Sequence, residues 1–215
     1  MPTVTLSFDN GPDPEATPIV LEVLRRRGLR ATFFVLGKWL ADPARRRLAE
    51  QAHAEGHWIG NHTFTHGGPL GRRADPGHAD AEIGRTEALI GALGHPDRLF
   101  RPVGGGGRLG PHLLSVEARD HLAASGATVV TWSALAHDWE DPEDWPKRGM
   151  AECLGQDRPL LVLHDIPNGG MRHLDAFLGR LADAGATFRQ DIPEHCIAMH
   201  RGVAAAGLDA YVTTG

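Results

Sequence analysis

Four times along the 215 residues a helical pattern ends on a glycine and a short β-prone run follows almost at once. Gly28 precedes Ala31-Thr32-Phe33-Phe34-Val35, Gly56 precedes Trp58-Ile59, Gly126 precedes Thr128-Val129-Val130, and Gly185 precedes Thr187-Phe188. Glycine reaches the left-handed conformation that closes a last helical turn, so each instance reads as helix, cap, strand. The helix before Gly28 shows a stripe of Ile19, Val20, Val23 and Leu24, with Pro18 in its first turn where proline is tolerated. The one before Gly185 shows Leu174, Phe177, Leu178 and Leu181. Strands alternating with helices at this spacing imply crossovers between parallel strands. The expectation is an α/β chain whose mostly parallel sheet is either closed as a (β/α) barrel or open and doubly wound. No linker-like break divides residues 1–215, which predicts one domain. Gly104 to Gly107 reads as a loop, and residues 201–215, small and weakly patterned, as a loosely packed tail.

Composition narrows the function classes. With 41% apolar and 23% charged residues the chain can bury one substantial core. A formal net charge of −5 with both signs interspersed gives no basic face for nucleic acid and no polybasic membrane anchor. No stretch approaches the length of a signal h-region or a membrane span, so the expected location is cytoplasmic and the expected partner a small molecule. Cys153 and Cys196 match no metal-ligand spacing and read as buried thiols.

Chemistry is expected where strands end. Val4, Leu6 and Phe8 alternate with Thr3, Thr5 and Ser7, a strand period, and Gly11-Pro12 then turns the backbone out of the sheet. Asp9 and Asn10 therefore stand at a strand's C-terminal edge. Four other polar groups follow apolar runs in the same way: Asn61 to His66, Arg101-Pro102, Asp138-Trp139 and His164-Asp165. In a parallel barrel all would share one face. Each has a structural alternative. Asp9-Asn10 could be an Asx turn, and Arg101 a surface arginine rather than the partner of a carboxylate. His62 and His66 have a spacing that suits one metal ion, yet His53 and His57 repeat it in a chain with 13 histidines. His164 could be bonded to Asp165 or to the backbone, and Trp132 and Trp139 could be core. Gly104 to Gly107 lacks the strand-helix context and the lysine of a phosphate-binding loop.

Taken together, the five groups resemble the polysaccharide deacetylase family, the NodB-homology domain of carbohydrate esterase family 4, from Val4 to about Pro193. The family's T-F-D-D-G-P motif is matched by Ser7-Phe8-Asp9-Asn10-Gly11-Pro12 and its H-[ST]-x-x-H motif by His62-Thr63-Phe64-Thr65-His66. Arg101-Pro102, Asp138-Trp139 and Leu163-His164-Asp165 follow in the family's order. The resemblance implies a distorted (β/α) barrel of about seven parallel strands and the hydrolysis of a carbon-nitrogen amide bond. Asp9 would be the base that activates water, His164 the acid that protonates the leaving amine, and Arg101 the group that orients Asp9. His62, His66 and the residue at position 10 would hold a divalent metal, zinc foremost. Trp139, Asp138 and Gly104 would meet the substrate, with a backbone amide near Gly104 as the oxyanion donor.

Three departures accompany the match. Asn10 stands where the family has a metal-binding aspartate, which removes the ion's own carboxylate. Val103-Gly104 replaces a Pro-aromatic pair, and Leu135 replaces an aspartate ahead of Asp138. The leading expectation is N-deacetylation of a small N-acetylated sugar or related soluble amide. A metal-independent hydrolase of cyclic amides or ureides, allantoinase-like, and a non-catalytic sugar-binding descendant are the alternatives.

Overall fold

A computed structural model describes residues 1–214. Among the described residues ten strands and seven α-helices follow in the order β1 (Thr3–Asp9), α1 (Ala16–Arg27), β2 (Thr32–Val35), α2 (Gly37–Leu40), α3 (Pro43–Ala54), β3 (Trp58–Asn61), α4 (Arg85–Ile90), β4 (Leu99–Phe100), α5 (Val116–Ala124), β5 (Thr128–Val130), β6 (Ala134–Leu135), α6 (Trp145–Leu154), β7 (Leu160–His164), α7 (Leu174–Asp183), β8 (Thr187–Arg189), β9 (Ile197–His200) and β10 (Val203–Ala204). The four expected cap glycines, Gly28, Gly56, Gly126 and Gly185, all carry positive φ, between 63° and 87°. Among the described residues no helix is long and apolar enough to cross a membrane.

The sheet runs β10-β9-β5-β4-β3-β2-β1-β7-β6, with β8 alongside the start of β1. Eight strands are parallel, while β9 runs antiparallel to β5 and β10 antiparallel to β9. This is the expected distorted barrel, with an antiparallel edge that sequence patterning missed. Its curl is completed by chain rather than by a ladder. The Thr131 amide donates to Cys196 beside β5 and the Ser133 amide to Leu160 on β7, so residues 131–133 carry the backbone across the gap to β6.

Strand alternation decides what each face of β1 does. Val4, Leu6 and Phe8 join a buried cluster with Leu21 and Leu24 of α1 and with Phe177 and Leu181 of α7. Thr5, Ser7 and Asp9 turn to the opposite face and are also buried. A polar row thus runs inside the sheet and ends at Asp9. The α7 stripe is as expected, whereas Ile19 of α1 is exposed and Leu21 takes its place. Both cysteines are buried free thiols, and burial pushes Cys153 up to about 12.

The C-terminal segment corrects the expectation of a loose tail. Leu208 and Val212 are buried against Leu114, Leu122 and Met199. The Leu114 amide donates to Tyr211 at 3.0 Å, and the Thr213 amide to Leu114 at 2.8 Å. A 3-10 turn and a single β-bridge leave no helix or strand period to read, and two well-placed apolar side chains suffice to seat the segment.

Candidate active site

Strand register brings four of the five sequence groups to one level, and the loop after β6 carries Asp138-Trp139 to them. Asp9 is the Cα partner of both Phe34 on β2 and His164 on β7. Val35 pairs with Asn61, and Asn61 with Phe100, so His62 and Arg101 each follow one residue past that line. Asp9, Asn10, His62, His66, Trp139 and His164 line one cavity of about 290 Å³, together with Gly104 and the three glycines after it. A larger hollow of about 490 Å³ lies between α4 and α5 and includes none of the expected catalytic residues. Burial and charge at the first site, rather than size, mark where chemistry is possible.

Arg101 organises the floor. It is completely buried, stacks 4.1 Å from the centre of the Phe34 ring, and donates from Nη1 to Asp9 Oδ1 at 2.9 Å and to Ser7 Oγ at 2.7 Å. Its Nη2 reaches the Thr131 carbonyl at 3.2 Å, across the barrel. Burial works to raise the Asp9 carboxyl, but the Arg101 guanidinium, with His62 and His164 behind it, holds it below the usual carboxylate range. Asp9 is therefore ionised at neutral pH.

On the β7 side, His164 is held at two points by Asp138. The backbone amide donates to Oδ2 at 2.8 Å, and the ring Nδ1 donates to Oδ1 at 2.9 Å. A carboxylate can only accept, which places a proton on Nδ1 and leaves Nε2 for the cavity. Burial opposes charge on this imidazole. Asp138 first, then Asp9 and Asp165, overcome it and raise His164 above its ordinary value. Trp139 packs edge-on against the ring at 4.8 Å. Asp138, expected to meet substrate, has no exposed surface and does not line the cavity; it sits behind His164. Asp165 is likewise buried, accepts from Thr17 Oγ1 at 2.5 Å, and is pushed by burial up to about 7.

The third wall carries the expected metal residues. His62 Nδ1 meets the Arg101 carbonyl at 2.8 Å, so the proton is on Nδ1 and the Nε2 lone pair is free, 3.7 Å from Asp9 Oδ2. The His62 and His66 rings lie 5.1 Å apart. Burial lowers both imidazoles, His66 to about 3, and both are neutral at pH 7. Asn10, Thr63 and His66 all have positive φ, at 77°, 72° and 59°. The Asn10 Oδ1 is buried without a hydrogen-bond partner. Among the described residues no three His, Cys, Asp or Glu side chains gather into a metal centre. Two neutral imidazoles and one orphaned amide oxygen nevertheless fit a divalent ion of the zinc class, held without a carboxylate of its own.

Several supporting residues escaped sequence reasoning. Glu82 is buried and accepts from the Phe64 and Thr65 amides, at 3.1 and 2.9 Å, and from Thr65 Oγ1 at 2.8 Å, pinning the loop between the two histidines. Asn61 accepts from the Thr63 amide at 2.9 Å. The Ser7 hydroxyl donates a hydrogen bond to the Leu161 carbonyl while accepting one from Arg101. Asn61 and Ser7 stand inside the sequence groups, and only their supporting roles were not read there; nothing near Glu82 in sequence points to it. Of the other histidine pair, His57 is buried and structural, the Ala31 amide donating to its Nδ1 at 3.2 Å, while His53 is exposed on α3.

Residues 1–125 match the family model described as polysaccharide deacetylase. The chain belongs to the polysaccharide deacetylase family. Membership places it among hydrolases of carbon-nitrogen amide bonds. A chitooligosaccharide deacetylase of Rhizobium leguminosarum bv. phaseoli is 33% identical over 173 residues, covering 76% of this chain and 68% of that protein. A peptidoglycan-N-acetylmuramic acid deacetylase of Bacillus subtilis is 29% identical over 191 residues, covering 87% and 69%. Among solved structures, a family 4 carbohydrate esterase from Streptomyces lividans in complex with acetate superposes with a TM-score of 0.73 at 27% identity, covering 91% of this chain and 96% of the other.

Proposed function

We propose that this protein removes the acetyl group from an N-acetylated amino sugar, with Asp9 as base and His164 as acid. The observation that carries the reading is the pairing of Asp9 with His164 on adjacent strands, one carboxylate held ionised by Arg101 and one imidazole whose proton affinity Asp138 raises, on a single cavity. Amide hydrolysis needs both: a base for the attacking water and a proton for a poor leaving group. Asp9 takes the proton as the water oxygen bonds to the carbonyl carbon. His164 Nε2 delivers a proton to the nitrogen as the carbon-nitrogen bond breaks, releasing acetate and a free amine. Gly104 to Gly107 line the cavity, and their main-chain amides would be the donors for the oxyanion. His62, His66 and the Asn10 amide oxygen would hold a divalent ion, zinc foremost, which when bound polarises the carbonyl and acidifies water.

The relatives named for chitooligosaccharide and peptidoglycan support a carbohydrate amide, and a short N-acetylglucosamine oligomer is the first substrate to test. Acetate release from chitotetraose, measured for the unaltered protein and for Asp9→Asn and His164→Ala, tests the assignment. Release that both substitutions abolish supports it. Release that neither affects overturns it, and ring opening of a cyclic amide in the presence of chelator would replace it with the metal-independent reading.

A further inference from the structure

The cavity lining falls into two chemical sets. Asp9, Asn10, His62, His66 and His164 are polar; Val103, Trp132, Leu135, Trp139 and Val162 are apolar, and the apolar end is where Trp132, Val162 and Leu135 pack in one hydrophobic cluster. Gly104 to Gly107 also line the cavity but carry no side chains, and the last three hold φ of +58°, +94° and +78°. The loop is packed tightly onto the apolar end. A Cβ on Gly104 would stand 2.8 Å from the Trp132 ring, and one on Gly107 2.6 Å from Leu135 Cδ1. Its hydrogen-bonding capacity is partly used. The Trp132 Nε1–H donates to the Gly107 carbonyl at 3.0 Å, and His112 Nε2 meets the Gly104 carbonyl at 3.1 Å. With Trp132 engaged in this way, a sugar hydroxyl placed among Leu135, Val162 and Trp132 would lose its water without gaining a side-chain partner, which is costly, whereas a hydrocarbon would gain from burial.

Size points the same way. At about 30 Å³ per water-sized group, 290 Å³ holds about ten heavy atoms, and an acetamide with its attacking water uses about five. We infer, on the basis of the proposed amide hydrolysis, that this site takes not only acetyl but also longer N-acyl groups, which it prefers, the chain lying against Leu135, Val162 and Trp132 and the amine partner at the mouth. The chemistry is unchanged in balance: water adds its oxygen to the acyl carbon, the carbon-nitrogen bond breaks, and the nitrogen leaves protonated, giving a longer carboxylic acid.

The test is equilibrium binding of acetate, propionate and butyrate to the unaltered protein, followed by NMR titration with and without added Zn²⁺. Each buried methylene should tighten binding about fourfold, so butyrate should bind about 15-fold more tightly than acetate. Leu135→Trp, which fills the apolar end, should erase the gradient, and Val162→Leu should shorten it if the larger substitution does not fold. In parallel, kcat/KM should rise from N-acetyl to N-butyryl chitotetraose. Affinities that are equal or fall from acetate to butyrate overturn the inference. This readout needs no turnover: an intact gradient with no hydrolysis of any acyl sugar would count against the amide-hydrolase reading alone.

Discussion

The two walls that flank Asp9 are built to different standards. On the β7 wall Asp138 holds both the ring Nδ1 and the backbone amide of His164, Trp139 closes the side, and only Nε2 is left to the cavity. On the wall formed by Asn10, His62 and His66, the backbone is left-handed at three positions and the Asn10 Oδ1 has no partner. The supports beneath that second wall are complete, with Glu82 and Asn61 holding the loop and Arg101 fixing the His62 tautomer. What is missing is a single negative charge. A buried carbonyl oxygen without a partner costs free energy that an ion could recover. The difference teaches that proton transfer and ion binding can diverge separately within one site, because they depend on different neighbours.

Substitutions can break that separation. Asp9 belongs to both walls, so Asp9→Asn should have the largest effect, a loss of about 10³- to 10⁴-fold in kcat by removal of the base. Initial rates of acetate release measure it. Asp138→Asn should act on the acid wall alone. The rate must fall as pH rises through the raised value of His164, above 6.5, because the acid then loses its proton. Without the Asp138 charge that limb should move to lower pH and kcat should fall about 100-fold, while the acid limb, set by Asp9 below 3.8, stays in place. A pH-rate profile reads both limbs. Glu82→Gln should act on the other wall alone. Weakening the loop between His62 and His66 should reduce ion affinity about tenfold and leave the His164 limb unmoved. If Glu82→Gln shifts that limb instead, the walls are not independent.

The sequence makes the catalytic edge legible for a physical reason. Parallel strands of matched register put the residue after each apolar run at one level, so the sequence alone groups Asp9, Arg101 and His164. The cap glycines were legible because left-handed helix ends favour one residue type. What could not be read was the supporting layer. Glu82 comes from a π-helical turn, Asp80–Gly84, ahead of α4, and reaches a loop some 18 residues earlier through tertiary packing alone. Asp138 was visible, but its role was not: only burial distinguishes a carboxylate that orients a histidine from one that meets substrate. The seating of Leu208 and Val212 was hidden because it uses no periodic element.

The most direct test of the account is a zinc titration by calorimetry of the unaltered protein, His62→Ala and Asn10→Asp, with acetate release recorded at each ion concentration. Zinc should bind weakly and saturably at one site, binding should be lost in His62→Ala and tightened at least tenfold in Asn10→Asp, and activity should follow occupancy. Full activity of the unaltered protein in chelator, with no zinc bound and no gain in affinity in Asn10→Asp, would contradict it.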